Sequence, residues 1–199
     1  MERLVLFSQP TEQNSKELHT VLFPTELKGG TFAYMPSNGR NSKREYTDHW
    51  RLIAEEKGFE FVFIDNMQEG EDALEESKKI SSADILLISG GNTFELLDNL
   101  KKSGLDKAIL EFIKKQQYIL SGFSAGAIVL TPRIDVASEA GGDDNVVGIT
   151  DLTGLGIIDF EVFPHYSEIT DTAIFEEYRQ KSPYMVRELT DDELLVIDR

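Results

Sequence analysis

Ser124 is the residue of this chain whose surroundings best suit it to chemistry. It sits in a Gly-x-Ser-x-Gly pentad, Gly122-Phe123-Ser124-Ala125-Gly126, between the apolar run Tyr118-Ile119-Leu120-Ser121 and the apolar segment Ala127-Ile128-Val129-Leu130. A strand that turns sharply into a helix needs glycine on both sides of the turn residue, and such a turn exposes the central hydroxyl at the carboxyl end of a sheet. That hydroxyl can attack a carbonyl carbon if a base takes its proton and a third group orients the base. There are three histidines to choose from. His19 and His49 fall in helix-period stretches and read as surface or half-buried helix residues. His165 follows Val162-Phe163-Pro164, where a late strand ends and the proline fixes the entry angle of the chain. It also comes after the serine, as in triads of order serine, acid, histidine, and we read it as the base.

A second glycine-bearing junction belongs beside the first. Ser89-Gly90-Gly91-Asn92-Thr93 follows the apolar strand Ile85–Ile88 and opens a helix near Phe94. Paired glycines there let a backbone approach a ligand closely and aim amide N–H groups at it. An oxyanion hole needs such donors, each worth about 3–4 kcal/mol of barrier in acyl transfer. The candidates are the N–H groups of Gly91 and of Ala125, with Gly90, Asn92 and Thr93 lining the substrate. The competing reading is a plain turn in which Asn92 or Thr93 caps the helix.

The elements that must hold these residues follow from periodicity. Strand-length apolar runs at Leu4–Phe7, Thr31–Met35, Phe59–Ile64, Ile85–Ser89 and Tyr118–Ser121 alternate with helix-period segments at Ser15–Phe23, Tyr46–Lys57, Asp72–Ile80, Thr93–Leu100, Leu105–Lys115 and Ala125–Leu130. Several strands are apolar throughout, as expected when helices cover both faces of a mostly parallel sheet. The reading is a three-layer α/β fold of the doubly wound, flavodoxin-like kind, with its site outside the carboxyl ends of the strands. Residues 139–145 read as a loop, and Met185–Leu189 with Glu193–Asp198 as a hairpin across Thr190-Asp191-Asp192.

The 199 residues, 40% hydrophobic and 28% charged, suit one domain over 1–199. With 20 basic against 36 acidic residues and a net charge of −16, nucleic acid and anionic membranes are excluded as expected partners. The first residues form too short an apolar run for a signal segment or membrane span. With no cysteine, a cytoplasmic location is the default expectation. No spacing suggests a metal site, a dinucleotide fingerprint or a phosphate loop, so no cofactor is expected. Monomer and homodimer both remain open.

At these residues the chain resembles the peptidase E and cyanophycinase family of serine peptidases, whose fold is related to the class I glutamine amidotransferases. The matching pieces are Gly-Gly-Asn-Thr-Phe at 90–94 with Leu96-Leu97 behind it, Gly-Phe-Ser-Ala-Gly-Ala at 122–127, Pro132, and Pro164-His165. The resemblance implies Ser124 as nucleophile, His165 as base and oxyanion donors from both glycine turns. It also implies a triad acid about fifteen residues past the serine, which falls on Glu139, with Asp135, Asp143 and Asp144 as rivals.

In one respect the chain departs from that pattern. Aspartyl dipeptidases carry a Gly-Glu-Thr-Arg type segment soon after the histidine, whose arginine can clamp an aspartate carboxylate. Here residues 166–178 contain no basic side chain, and Arg179 is the first. The expectation is a small-peptide hydrolase with another preference, using Glu168 or Asp171 to hold a substrate amine. The segment Pro36–Arg44 reads as a solvated turn, although its three basic residues could meet a substrate carboxylate. The alternatives are an α/β-hydrolase esterase, which shares the elbow, and a non-catalytic member of the same fold that binds a small molecule or protein.

Overall fold

The computed structural model describes residues 1–140 and 142–199; Gly141, within the expected loop 139–145, lies outside the described residues. The elements in chain order are β1 (Glu2–Phe7), α1 (Ser15–Leu22), β2 (Thr31–Met35), α2 (Arg44–Lys57), β3 (Glu60–Phe63), α3 (Gly70–Ser82), β4 (Ile85–Ile88), α4 (Thr93–Ser103), α5 (Leu105–Phe112), β5 (Tyr118–Phe123), α6 (Ala125–Ile128), β6 (Glu161–Pro164), α7 (Thr172–Lys181), β7 (Val186–Leu189) and β8 (Leu194–Asp198). Six strands form one sheet in the order β3-β2-β4-β5-β1-β8, and β6 and β7 form a separate parallel pair. Only β8 runs antiparallel in the large sheet, against β1.

Strand periodicity divides the core in two. Val5, Phe7, Phe32, Tyr34, Ile85, Leu87, Ile119 and Phe123 face a layer built from α1 and α2, through Leu18, Leu22, Trp50 and Ala54. Their neighbours Leu4, Leu6, Ala33, Met35, Leu86, Ile88 and Leu120 face the other way, toward α4, α5 and α6. Successive strand residues point to opposite faces, so runs apolar at every position are what a doubly covered sheet requires. The result is the expected three-layer α/β architecture.

Register brings the strand ends level. Phe7 pairs with Phe123, Ile88 with Gly122 and Met35 with Ile88. The residues just beyond, Ser8, Pro36, Ser89 and Ser124, therefore emerge along one carboxyl edge. Between β2 and β4 the strand order reverses, which opens a crevice at that edge.

The carboxyl terminus differs from the expected hairpin. β7 pairs in parallel with β6, whereas β8 crosses to the large sheet and pairs with β1. The physical reason lies in Leu194-Leu195-Val196-Ile197, which is apolar on both faces. Leu195 and Ile197 pack on one core layer and Leu194 and Val196 on the other, a demand that an isolated hairpin could not meet. The connection between β7 and β8, Thr190 to Glu193, is thereby carried to the edge where Ser124 emerges.

Candidate active site

The elbow geometry follows from its two glycines. A Cβ on Gly122 would land on the Gly126 carbonyl, and one on Gly126 would land on the Ile88 carbonyl, so neither position tolerates a side chain. Between them Ser124 takes φ 51° and ψ −119° and donates its N–H to the Phe7 carbonyl at 3.0 Å. His165 has φ 59°, and these are the only two non-glycine residues at positive φ among the described residues. Backbone strain of this kind costs on the order of 1–3 kcal/mol per residue and persists where its surroundings enforce it. At His165 the enforcement comes from Ser8, fully buried, whose Oγ accepts the His165 N–H at 2.9 Å and donates to the Leu189 carbonyl at 2.8 Å.

The side chains meet in a line. His165 Nε2 lies 3.0 Å from Ser124 Oγ, and His165 Nδ1 lies 2.7 Å from Asp191 Oδ1. A carboxylate can only accept, so the imidazole satisfies both contacts with its proton on Nδ1, leaving Nε2 free to take the serine proton. Hydroxyl, imidazole and carboxylate in this order form the relay that activates a serine. The side chains of His165 and Asp191 are 36% and 44% exposed, so solvent screens the charge between them and the contact fixes chiefly the orientation of the ring.

Asp191, on the β7–β8 connection, stands where the sequence reading put Glu139. Glu139 is exposed at the end of a 3₁₀ turn over Asp135–Ser138 and makes no side-chain contact with His165. None of the three rivals contacts His165, and two are engaged elsewhere: Asp135 pairs with Arg133 at 2.7 Å, and Asp143 accepts from the N–H and hydroxyl of Thr93, whereas Asp144 is engaged only through its backbone carbonyl, by the Asn92 amide. The acid loop is held by a residue the sequence reading passed over. Asn14, 3% exposed, donates through Nδ2 to the carbonyls of Gln9 and Asp191 at 3.0 Å each. Its Oδ1 accepts the Thr11 N–H at 2.9 Å, and the Thr11 hydroxyl reaches Asp192 Oδ1 at 2.7 Å. The turn after β1 therefore grips the turn after β7.

A cleft of 560 Å³ opens over the serine, and Gly90, Gly91, Asn92, Ser124 and His165 all line it. A Cβ on Gly90 would press on Ser124 Cβ at 3.0 Å, and one on Gly91, at φ 141°, would strike Ser37 Oγ. The N–H groups of Gly91 and Ala125 have no acceptor among the described residues. Asn92 caps α4 by accepting the Glu95 N–H at 3.0 Å, as the capping alternative anticipated, and also lines the cleft, whereas Thr93, expected to line it, is fully buried and donates its N–H and hydroxyl to Asp143 instead.

Glu168 and Asp171 do not line the cleft. Glu168 is exposed, and the Asp171 carboxylate is engaged by the Ser167 N–H at 2.8 Å. The opposite wall comes from the β2–α2 segment and α4: Tyr34, Ser37, Asn38, Lys43, Tyr46 and Glu95. Burial pushes the Tyr34 hydroxyl up to about 12, so it stays a neutral hydrogen-bonding group there. Among the described residues no group of three or more His, Asp or Glu side chains could hold a metal ion, and no helix is long and apolar enough to cross a membrane.

A serine elbow with its histidine on a three-layer α/β sheet defines a class, and the chain's residues 4–199 match the model of peptidase family S51. The chain belongs to that family and is a serine-type peptidase. A Listeria monocytogenes protein named only as an uncharacterized peptidase is 32% identical over 167 residues, 80% of this chain and 79% of its own length. Peptidase E of Salmonella arizonae is 28% identical over 123 residues, 62% of this chain and 49% of that protein. A crystal structure of a Listeria monocytogenes protein assigned to peptidase E superposes with a TM-score of 0.79 at 28% identity, covering 99% of this chain and 94% of that one.

Proposed function

We propose that this chain hydrolyses small peptides by acyl transfer, with Ser124 as nucleophile, His165 as general base and Asp191 as the acid that orients it. The observation that carries the proposal is the unbroken line from Ser124 Oγ through His165 to Asp191. His165 Nε2 takes the hydroxyl proton as Oγ attacks the scissile carbonyl, and the tetrahedral oxyanion is met by the N–H groups of Gly91 and Ala125. The imidazolium then gives its proton to the leaving amine, an acyl-enzyme forms, and water repeats the sequence to release the acid. The whole chain, 1–199, acts as one such unit, and the lack of cysteine suits a cytoplasmic setting.

Aspartyl specificity built on a cation soon after the histidine is not part of this reading. Arg179, the first basic residue there, pairs with Glu176 at 2.6 Å and lies over the Phe175 ring. The test is cleavage of a broad dipeptide and tripeptide library, read by mass spectrometry, with Ser124→Ala in parallel. Products that vanish in the variant support the proposal and reveal the preferred residue. Products that persist in the variant, or no product from either protein, overturn it.

A further inference from the structure

An N–H aimed at an oxyanion contributes only if its direction is fixed before the reaction, yet the Gly91 N–H sits on two successive glycines, the backbone with the most freedom to swing. The ends of the turn are tied down. Ser89 donates its N–H to the Met35 carbonyl at 2.9 Å, and Asn92 is held by its cap on the Glu95 N–H at 3.0 Å. Gly91 between them is held by packing. At φ 141° it faces Ser37 so closely that a Cβ on Gly91 would lie 2.7 Å from Ser37 Cβ and overlap Ser37 Oγ. Ser37, 6% exposed on the segment after β2, is thus seated directly on the turn.

Ser37 is itself gripped at its carbonyl. That oxygen accepts two side-chain amides, Asn66 Nδ2 at 3.1 Å and Asn99 Nδ2 at 3.2 Å, one for each lone pair. They come from separate elements: Asn66 follows β3 and is fully buried, whereas Asn99 is half-buried on α4, the helix that the glycine turn opens. Neither lines the cleft. Asn66 Oδ1 is buried without a partner, so for filling space alone an apolar side chain of the same shape would serve better. What asparagine supplies there is the donation to Ser37. The relay lies elsewhere, since His165 is anchored to Ser8 at the end of β1, and β1 and β2 flank β4 and β5 on opposite sides.

We propose that Asn66 and Asn99 are positioning residues of the oxyanion hole: by gripping the Ser37 carbonyl they keep Ser37 pressed on Gly91 and so fix the direction of the Gly91 N–H. This rests on the acyl-transfer reading above and adds the residues that hold its oxyanion donor in place. The site then has two separately supported halves. Ser8 and Asn14 serve the relay, and Asn66 and Asn99 serve the hole.

The experiment measures the rate at which a fluorophosphonate labels Ser124, a reaction in which the phosphoryl oxygen takes the oxyanion position and no peptide substrate is needed. Wild type, Asn66→Leu, Asn99→Leu, Ser37→Gly and the combinations of Ser37→Gly with each asparagine variant are compared across pH. Loss of a whole oxyanion donor costs about 10²- to 10³-fold, so loosening one should cost about 10-fold in each asparagine variant, with the midpoint of the pH profile unmoved because the relay is intact. In the Ser37→Gly background either asparagine variant should cost little more, because the amide acts through a side chain already removed. For a cleaved peptide the same loss should fall on kcat with KM little changed. Wild-type labelling rates in both asparagine variants overturn the inference and leave the peptidase reading intact. A slow variant whose pH midpoint moves also overturns it, by placing the effect on the relay. Costs that multiply in full with that of Ser37→Gly overturn it too, by marking the asparagines as merely structural. Should Asn66→Leu fail to fold, the half-buried Asn99→Leu and its combination with Ser37→Gly give the same readings. A wild type that is neither labelled at Ser124 nor able to cleave peptides means that the peptidase reading itself has failed, and this inference with it.

Discussion

At the scale of single residues, the site depends on positions where a side chain cannot be added and on one that cannot be subtracted. Gly126→Ala would drive a Cβ into the Ile88 carbonyl, and we expect roughly 3 kcal/mol or more of destabilisation, read as a lowered denaturant midpoint. Asn14 is the residue whose removal should be felt. Asn14→Asp keeps the acceptor for the Thr11 N–H but loses both donations, to Gln9 and to Asp191. Expected is a fall in kcat of about tenfold with KM little changed and the acid limb of the kcat/KM pH profile displaced, because Asp191 no longer orients His165. A lowered melting temperature with unchanged kinetics would show Asn14 to be merely structural. That Ser124 and His165 meet was legible in the sequence because each sits at a glycine- or proline-marked strand end. Asp191 was not, because the chain places it 26 residues beyond the histidine, on a turn whose destination depends on where β8 docks. Glu139 matched a register in a loop, and loop register carries little spatial information.

Elements were legible to the extent that their partners were local. The β/α alternation through β5 followed from apolar runs and helix periods, and the structure moves most of those boundaries by only one to three residues. The hairpin expectation failed since a strand apolar on both faces needs a covered sheet, a non-local requirement already written in Leu194–Ile197. The β6–α7 packing yields a prediction of its own. Glu161 is buried, with Oε2 accepting from the hydroxyls of Tyr178 at 2.7 Å and Ser182 at 3.0 Å, while Oε1 has no partner. Burial, more than these hydrogen bonds can offset, raises its carboxyl above the ordinary range. A raised folded-state pKa means that the native state holds the proton more tightly than the unfolded chain. Its contribution is therefore complete below the unfolded pKa and is lost as pH rises through the folded one. Melting curves of the wild type and Glu161→Gln across pH 4 to 8 should show the variant gaining relative stability as pH rises. A constant difference would contradict the burial account.

For the whole molecule, the relay is closed by the two ends of the chain: Ser8 and Asn14 from the turn after β1, Asp191 from the turn before β8, with β8 laid along β1 to hold them together. The cleft and Ser124 lie on the carboxyl edge of one sheet, so a change that lifts β8 from β1 should disarm Ser124 without touching it. Leu195→Asp, which puts a charge into the packed face of β8, is expected to lower both stability and labelling of Ser124 by a fluorophosphonate. The claim on which everything else rests is that Asp191, and not Glu139, completes the relay. It is tested most directly by the rate at which a fluorophosphonate labels Ser124 in Asp191→Asn compared with Glu139→Gln, a reading that needs no knowledge of the substrate. Expected is a loss of about 10³- to 10⁴-fold in Asp191→Asn and a wild-type rate in Glu139→Gln; a slow Glu139→Gln beside a fast Asp191→Asn would contradict the assignment of Asp191.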